Sequence, residues 1–204
     1  MRAFYRFATV FALAASAAGY AQAAETPKVG EPAPGFTLTS AAGNEHSLSD
    51  FKGKYVVLEW VNHGCPFVKK HYETGNMQAT QKMATESGHV WLSICSSAPG
   101  KQGHMSAEKA AEKSKAVSSE ATAYLLDENG KVGKAYGATR TPEIFIISPE
   151  GKIVYHGGID DRPTARKSDV EGANNFVLAA MKSLEKGEAI ANATTQPYGC
   201  SVKY

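Results

Sequence analysis

The chain has 204 residues with 22 Lys and Arg against 20 Asp and Glu, a near balance that excludes the basic stripe a nucleic-acid partner would need. Its length suits one domain with its own core, and beyond the first residues no run approaches the roughly 20 apolar residues of a membrane span. Three cysteines are too few for a disulfide framework, and in an oxidising compartment their odd number leaves at least one thiol over.

Taken in chain order, residues 1–23 carry Arg2 and Arg6, an apolar run from Phe7 to Ala18, and Ala21-Gln22-Ala23. That pattern predicts a secretion signal cut after Ala23, the alternative being an uncleaved anchor. Removal would leave 20 basic against 20 acidic residues, a periplasmic location, and no membrane contact after cleavage. The expected layout is a signal peptide at 1–23, one domain at 24–187, and a polar tail at 188–204 that contains Cys200.

Residues 26–34 read as a Pro- and Gly-rich lead-in, and residues 36–39 and 45–48 as the arms of a hairpin about Ala41-Ala42-Gly43-Asn44. Residues 49–53 predict one helical turn closed by glycine. Next comes Tyr55 to Val61, a β-branched and aromatic run bounded by Lys52-Gly53-Lys54 and Asn62-His63-Gly64, which predicts a buried central strand. Cys65-Pro66 then opens a helix carrying Phe67-Val68 and Lys69-Lys70, because proline is tolerated in a helix's first turn. Gly75 interrupts, and Met77, Gln81 and Ala84 resume at helical spacing. Further on, residues 90–95 predict a strand ending in Cys95, 106–117 a solvated helix, 123–126 a strand, and 132–136 a short helix. Residues 144–147 and 153–156 form a hairpin across Pro149-Glu150-Gly151. A closing helix over 170–185 places Ala173, Val177, Met181 and Leu184 on one face. Strands alternating with helices predict a mixed α/β sheet covered on both faces, with chemistry at the carboxyl ends of its parallel strands.

Cys65 is the residue on which a function hangs. At a helix start the thiol faces unpaired amides and the positive end of the dipole, which favour its ionised form. Lowering a thiol pKa of about 8.5 by about two units takes roughly 2.7 kcal/mol and makes thiolate the major species at neutral pH. His63 and Lys69 are expected to assist if they point at the sulfur. The alternative is a small buried apolar residue at a strand-helix junction. Glu59, six residues earlier, is a candidate buried acid that accepts or relays a proton, or else a carboxylate on a solvated strand edge.

Strand, Cys65 at a helix start, and Gly137-Ala138-Thr139-Arg140-Thr141-Pro142 before a further strand resemble the thioredoxin-fold superfamily over residues 29–186. Residues 62–72, 96–103 and the Gly199-Cys200-Ser201-Val202-Lys203 ending are similar to its secreted, peroxiredoxin-like redoxin (AhpC/TSA-type) group. The resemblance implies a thioredoxin-like α/β fold, a central mixed sheet flanked by helices, here with an N-terminal hairpin extension and a C-terminal tail. It implies a cis-proline at Pro142 beside the reactive sulfur, with Thr141 next to it, and a thiol-based oxidoreductase with Cys65 as nucleophile. Two departures stand out. Val68 occupies the place of the second cysteine of a thioredoxin motif, and Asn62 that of the threonine that orients peroxide in peroxiredoxins.

A mixed disulfide or a sulfenic acid on Cys65 needs a second thiol for release. Cys200 on the tail resembles a C-terminal resolving cysteine, and Cys95 is the alternative. A static Cys65–Cys200 clasp is a further option, stabilising by about 2–4 kcal/mol. The partners implied are a thiol or disulfide protein or a peroxide, together with an electron donor, and no cofactor is expected. A rival reading is a secreted copper-binding protein using His63, Cys65, His71, His104 and Met105, although these lack tight metal spacing and no metal site is expected.

Overall fold

The computed structural model describes residues 26–204, so the expected signal segment lies outside the described residues. The first described strands are an antiparallel pair, β1 (Thr37–Ser40) and β2 (Glu45–Ser47), followed by a 3-10 turn at Leu48–Phe51. Then come β3 (Val56–Trp60), α1 (Pro66–Glu73), α2 (Asn76–Glu86) and β4 (Val90–Cys95). They are followed by α3 (Ala107–Ala116), β5 (Ala123–Leu126), α4 (Lys131–Tyr136), β6 (Arg140–Thr141), β7 (Glu143–Ile147) and β8 (Ile153–Gly157). The last elements are α5 (Phe176–Glu185) and β9 (Cys200–Ser201).

Seven strands form one sheet in the order β2-β1-β5-β4-β3-β7-β8, with β3, β4 and β5 parallel and β7 antiparallel to β3. Every residue of β3 is buried, and the two-residue pleat period divides them between two cores. Val57 and Val61 face the core that holds Trp91, Met77, Val177, Met181 and Cys65, whereas Val56, Leu58 and Trp60 face the core that holds Leu92, Ile94, Phe145 and Tyr136. A parallel strand buried on both sides reads as a continuous apolar run, which is why residues 55–61 could be recognised. Beside this sheet, β6 and β9 form a separate two-stranded ladder.

One expectation needs correction. The closing helix begins at Phe176, not at residue 170, because Gly172 takes a left-handed φ of +72° and the Asn175 side chain caps the helix by accepting the Leu178 amide. The tail, expected only as a polar extension of the domain, is strapped down along its length. His156 N donates to Ala193 O and Thr195 N to His156 O, both at 3.0 Å, Val202 N donates to Thr139 O at 3.1 Å, and Tyr204 Oη donates to Ala138 O at 2.7 Å.

Candidate active site

The carboxyl end of β3 delivers the chain into the turn Asn62-His63-Gly64, and the turn aims Cys65 at the start of α1. Asn62 holds that turn from both ends of its amide. Its Oδ1 accepts the Gly64 amide at 2.8 Å, and its Nδ2 donates to Gln102 O at 3.1 Å. Cys65 is the N-cap, in extended conformation, with Pro66 in the first turn and the Cys65 carbonyl accepting the Lys69 amide at 2.9 Å. Its thiol makes no cap bond; it donates instead to Thr141 O at 3.2 Å.

Thr141 precedes Pro142 across a cis peptide bond, and in the β6–β9 ladder Thr141 pairs with Cys200. The second sulfur is therefore presented across the same backbone segment that receives the first. Between them Gly199 passes so close that a Cβ there would run into the Thr141 carbonyl, and its φ of +122° suits glycine. Directly after Pro142, the buried Glu143 carboxylate reaches back and fixes the approach to the proline, because Oε2 accepts the Thr139 and Arg140 amides at 2.8 and 2.7 Å while Oε1 lies 2.7 Å from His156 Nε2.

The two sulfurs are pushed in opposite directions. Burial alone would raise Cys65, but the Cys200 thiol, the Val68 and Cys200 amides and the Thr141 side chain favour its anion, and it lies below its ordinary value. Cys200 is pushed up to about 11, first by burial and then by the neighbouring Cys65. Of the two sulfurs Cys200 therefore keeps its proton to the higher pH, and Cys65 is the one more readily ionised. With the tail in place Cys65 is 0% exposed and Cys200 is half-buried.

Other sequence candidates fall elsewhere. Lys69 is exposed on the outer face of α1, and the lysine that turns inward is Lys70. His63 is packed edge-on to Tyr72 and stacked on Tyr124, with ring centroids 4.9 and 5.9 Å away, and burial holds its imidazole down at about 4. Neither residue therefore supplies a positive charge to the sulfur. Cys95 shares the Cys65 face of the sheet, but its thiol donates to Gly103 O at 3.4 Å. The copper candidates are dispersed. His71 is bound to Tyr198 and Asn76, His104 pairs with Glu128, and among the described residues no group of three His, Cys, Asp or Glu could hold a metal ion.

A family model described as the AhpC/TSA family matches residues 29–156, well over half of the chain. The chain belongs to the AhpC/TSA family. Among its relatives, the thiol-disulfide oxidoreductase ResA of Geobacillus kaustophilus is 30% identical over 132 residues, 61% of this chain and 66% of that protein, so the chain spans just under two thirds of that relative. Of solved structures, an uncharacterized conserved protein from Geobacillus kaustophilus superposes with a TM-score of 0.74 at 27% identity, covering 88% of this chain and 94% of that one. The thioredoxin domain of a thiol-disulfide oxidoreductase from Bacteroides vulgatus gives 0.52 at 27% identity, covering 71% and 96%. The fold is thus thioredoxin-like, as the family resemblance implied.

Within this AhpC/TSA scaffold Glu59 is 0% exposed, which removes the solvated-edge reading. Burial raises its pKa, opposed by four donors: Trp91 Nε1 at 2.9 Å, Ser93 Oγ at 2.8 Å, Tyr72 Oη at 3.0 Å and Gln81 Nε2 at 3.1 Å. Ser93 is its register partner on β4, so the pairing of parallel strands builds half of this site. Gln81 cannot flip its amide, because its Oε1 already accepts the Glu120 amide at 2.9 Å. In Glu59→Gln an NH2 would face fixed N–H donors. Urea unfolding of that variant should show a loss of about 1–3 kcal/mol.

Sequence reasoning missed Lys70, Glu143, Asp160 and Tyr198, all of them buried. The only signal for Tyr198 was its place in Pro197-Tyr198-Gly199 just ahead of a cysteine; Asp160 and Glu143 carried none, since isolated acids read as surface.

Proposed function

We propose that the protein is a thiol-disulfide oxidoreductase in which Cys65 is the nucleophile and Cys200 the resolving cysteine. The observation that carries this reading is the β6–β9 ladder, which sets Cys200 against Thr141 beside a Cys65 sulfur shifted toward its anion. The names of the relatives favour it too.

The Cys65 thiolate attacks one sulfur of a substrate disulfide, a Cys65–substrate bond forms, and the other substrate sulfur leaves as a thiolate that takes up a proton. Cys200 gives up its proton and attacks Cys65 Sγ. The second substrate thiol departs, and Cys65 and Cys200 are left joined. A dithiol donor then restores both thiols by the same exchange. Because Cys65 is covered, attack requires β9, only two residues long, to part from β6, an opening of the local kind that costs far less than global unfolding. No cofactor takes part. The partners are a protein or peptide disulfide and a thiol donor.

Disulfide exchange is favoured over peroxide reduction by Asn62, which offers no hydroxyl and has both ends of its amide occupied in the turn. The basic and apolar pattern of residues 1–23 supports export, with the periplasm as the working compartment. Supplied with dithiothreitol, the protein should accelerate insulin reduction well beyond the buffer rate while consuming hydrogen peroxide little faster than free cysteine does. Rapid peroxide consumption with no effect on insulin would exclude disulfide exchange as its activity.

A further inference from the structure

The helix that begins at Cys65 carries, about one and a half turns on, a buried polar pair that the exchange chemistry does not use. Lys70 and His71 have side chains 0% exposed, and both reach Tyr198, two residues before Cys200. Lys70 Nζ donates to Tyr198 Oη at 3.3 Å and to Arg162 O at 2.8 Å, and His71 Nε2 lies 3.0 Å from the same hydroxyl. The Tyr198 hydroxyl in turn donates to Asp160 Oδ1, an acid just beyond β8 whose side chain is 1% exposed.

We propose that Tyr198 is the positioning residue for the second sulfur, its hydroxyl gripped by Asp160, Lys70 and His71 so that Cys200 is delivered in register against Cys65. This rests on the reading of Cys65 and Cys200 as the exchanging pair.

The hydrogen-bond directions are mutually consistent. Asn76 Nδ2 donates to His71 Nδ1 at 2.7 Å, which leaves the proton of a neutral imidazole on Nε2, directed at the tyrosine oxygen. Tyr198 Oη thus accepts from Lys70 and His71 and donates to Asp160, so its hydroxyl is fully used and only one pose of the side chain satisfies all three partners. A buried Lys–Asp pair is weak evidence of stabilisation, since desolvation offsets most of its attraction and apolar residues of similar volume would serve as well. What a polar set supplies is direction. The Tyr198 ring is held as well, packed edge-on against Phe67 with centroids 5.9 Å apart, and Phe67 lies on the same helix two residues after Cys65.

One rigid element, α1, therefore fixes both ends of the reaction: its N-terminus holds Cys65, and its second turn holds the tail two residues short of Cys200. Gly199 is the sole residue between the grip and the resolving cysteine. A thiol on a loose tail meets its partner at millimolar effective concentration, whereas a thiol held in place exceeds that by orders of magnitude.

The test is an equilibrium between the protein and glutathione buffers. Forming the Cys65–Cys200 bond delivers two electrons and two protons to one glutathione disulfide, which becomes two glutathione molecules, so the equilibrium constant reports how well the two sulfurs are placed. The oxidised fraction is read from the mass added by a maleimide after acid quench. Tyr198→Phe should lower the constant at least about tenfold, equivalent to about 30 mV for a two-electron couple. Thr195→Val loosens the tail where Thr195 Oγ1 accepts the Gly158 amide at 3.0 Å, and should lower it less than about threefold. A Tyr198→Phe constant within about twofold of the wild type, or a fall no larger than that of Thr195→Val, would overturn the proposal. If Tyr198→Phe does not fold, His71→Gln takes its place, with an expected fall of about threefold or more and the same overturning result if unchanged. A wild-type protein that forms no Cys65–Cys200 bond at any glutathione ratio removes the exchange reading itself, whereas a normal wild-type bond that Tyr198→Phe leaves unaltered removes the grip alone.

Discussion

Cys65→Ser should abolish insulin reduction, by on the order of a thousandfold or more, with the fold retained. Serine is close to cysteine in size, and the original thiol donates a single bond, to Thr141 O, that a hydroxyl can also make. Its hydroxyl is not measurably ionised at neutral pH, however, and the surroundings that favour a sulfur anion do not bring an alcohol within reach of that state. The N-cap place gains rather than loses from the change, because serine is a preferred N-cap residue that can bond the free amides of the first turn. Activity and stability should therefore separate: melting unchanged or raised, turnover gone. An equal loss of both would mean that Cys65 serves only to hold the structure together.

Cys200→Ala should have a different signature. The first attack remains possible, so Cys65 should accumulate as a mixed disulfide with substrate, visible as an adduct under non-reducing conditions, while steady-state turnover falls by about a hundredfold. Loss of the Cys200 thiol also takes away a bond that favours the Cys65 anion, so the pH midpoint of Cys65 reactivity should move upward relative to wild type. If Cys95 were the resolving residue, Cys200→Ala would leave turnover intact and no adduct would build up.

The sequence made the corner at Cys65 legible because several local rules agree there. A continuous apolar run bounded by glycines, a proline directly after the cysteine and resumed helical spacing each point to strand, turn and helix start. The family resemblance added Pro142 and Cys200, which no periodicity could have linked to Cys65 across more than seventy residues. The hold on the tail was not legible in the sequence for a physical reason. Its strand is only two residues long, and the remainder is held by single side-chain and backbone bonds to β8, β6 and α1, so it carries neither a two-residue nor a helical period. Lys69 and Lys70 show the same limit at one position. Adjacent residues on a helix point about 100° apart, only one lysine can turn inward, and the buried acid that selects it, Asp160, is ninety residues further along the chain. The start of α5 was obscured because Ala173 fits the apolar stripe by spacing while Gly172 and Asn175 set the boundary.

The most direct measurement is peptide mapping under non-reducing conditions after mild oxidation of the full chain. Cys65 and Cys200 should be recovered in one bridged peptide pair and Cys95 as a free thiol. A Cys65–Cys95 bridge, or a Cys65 that stays free while the other two join, would contradict the proposed pairing at its root.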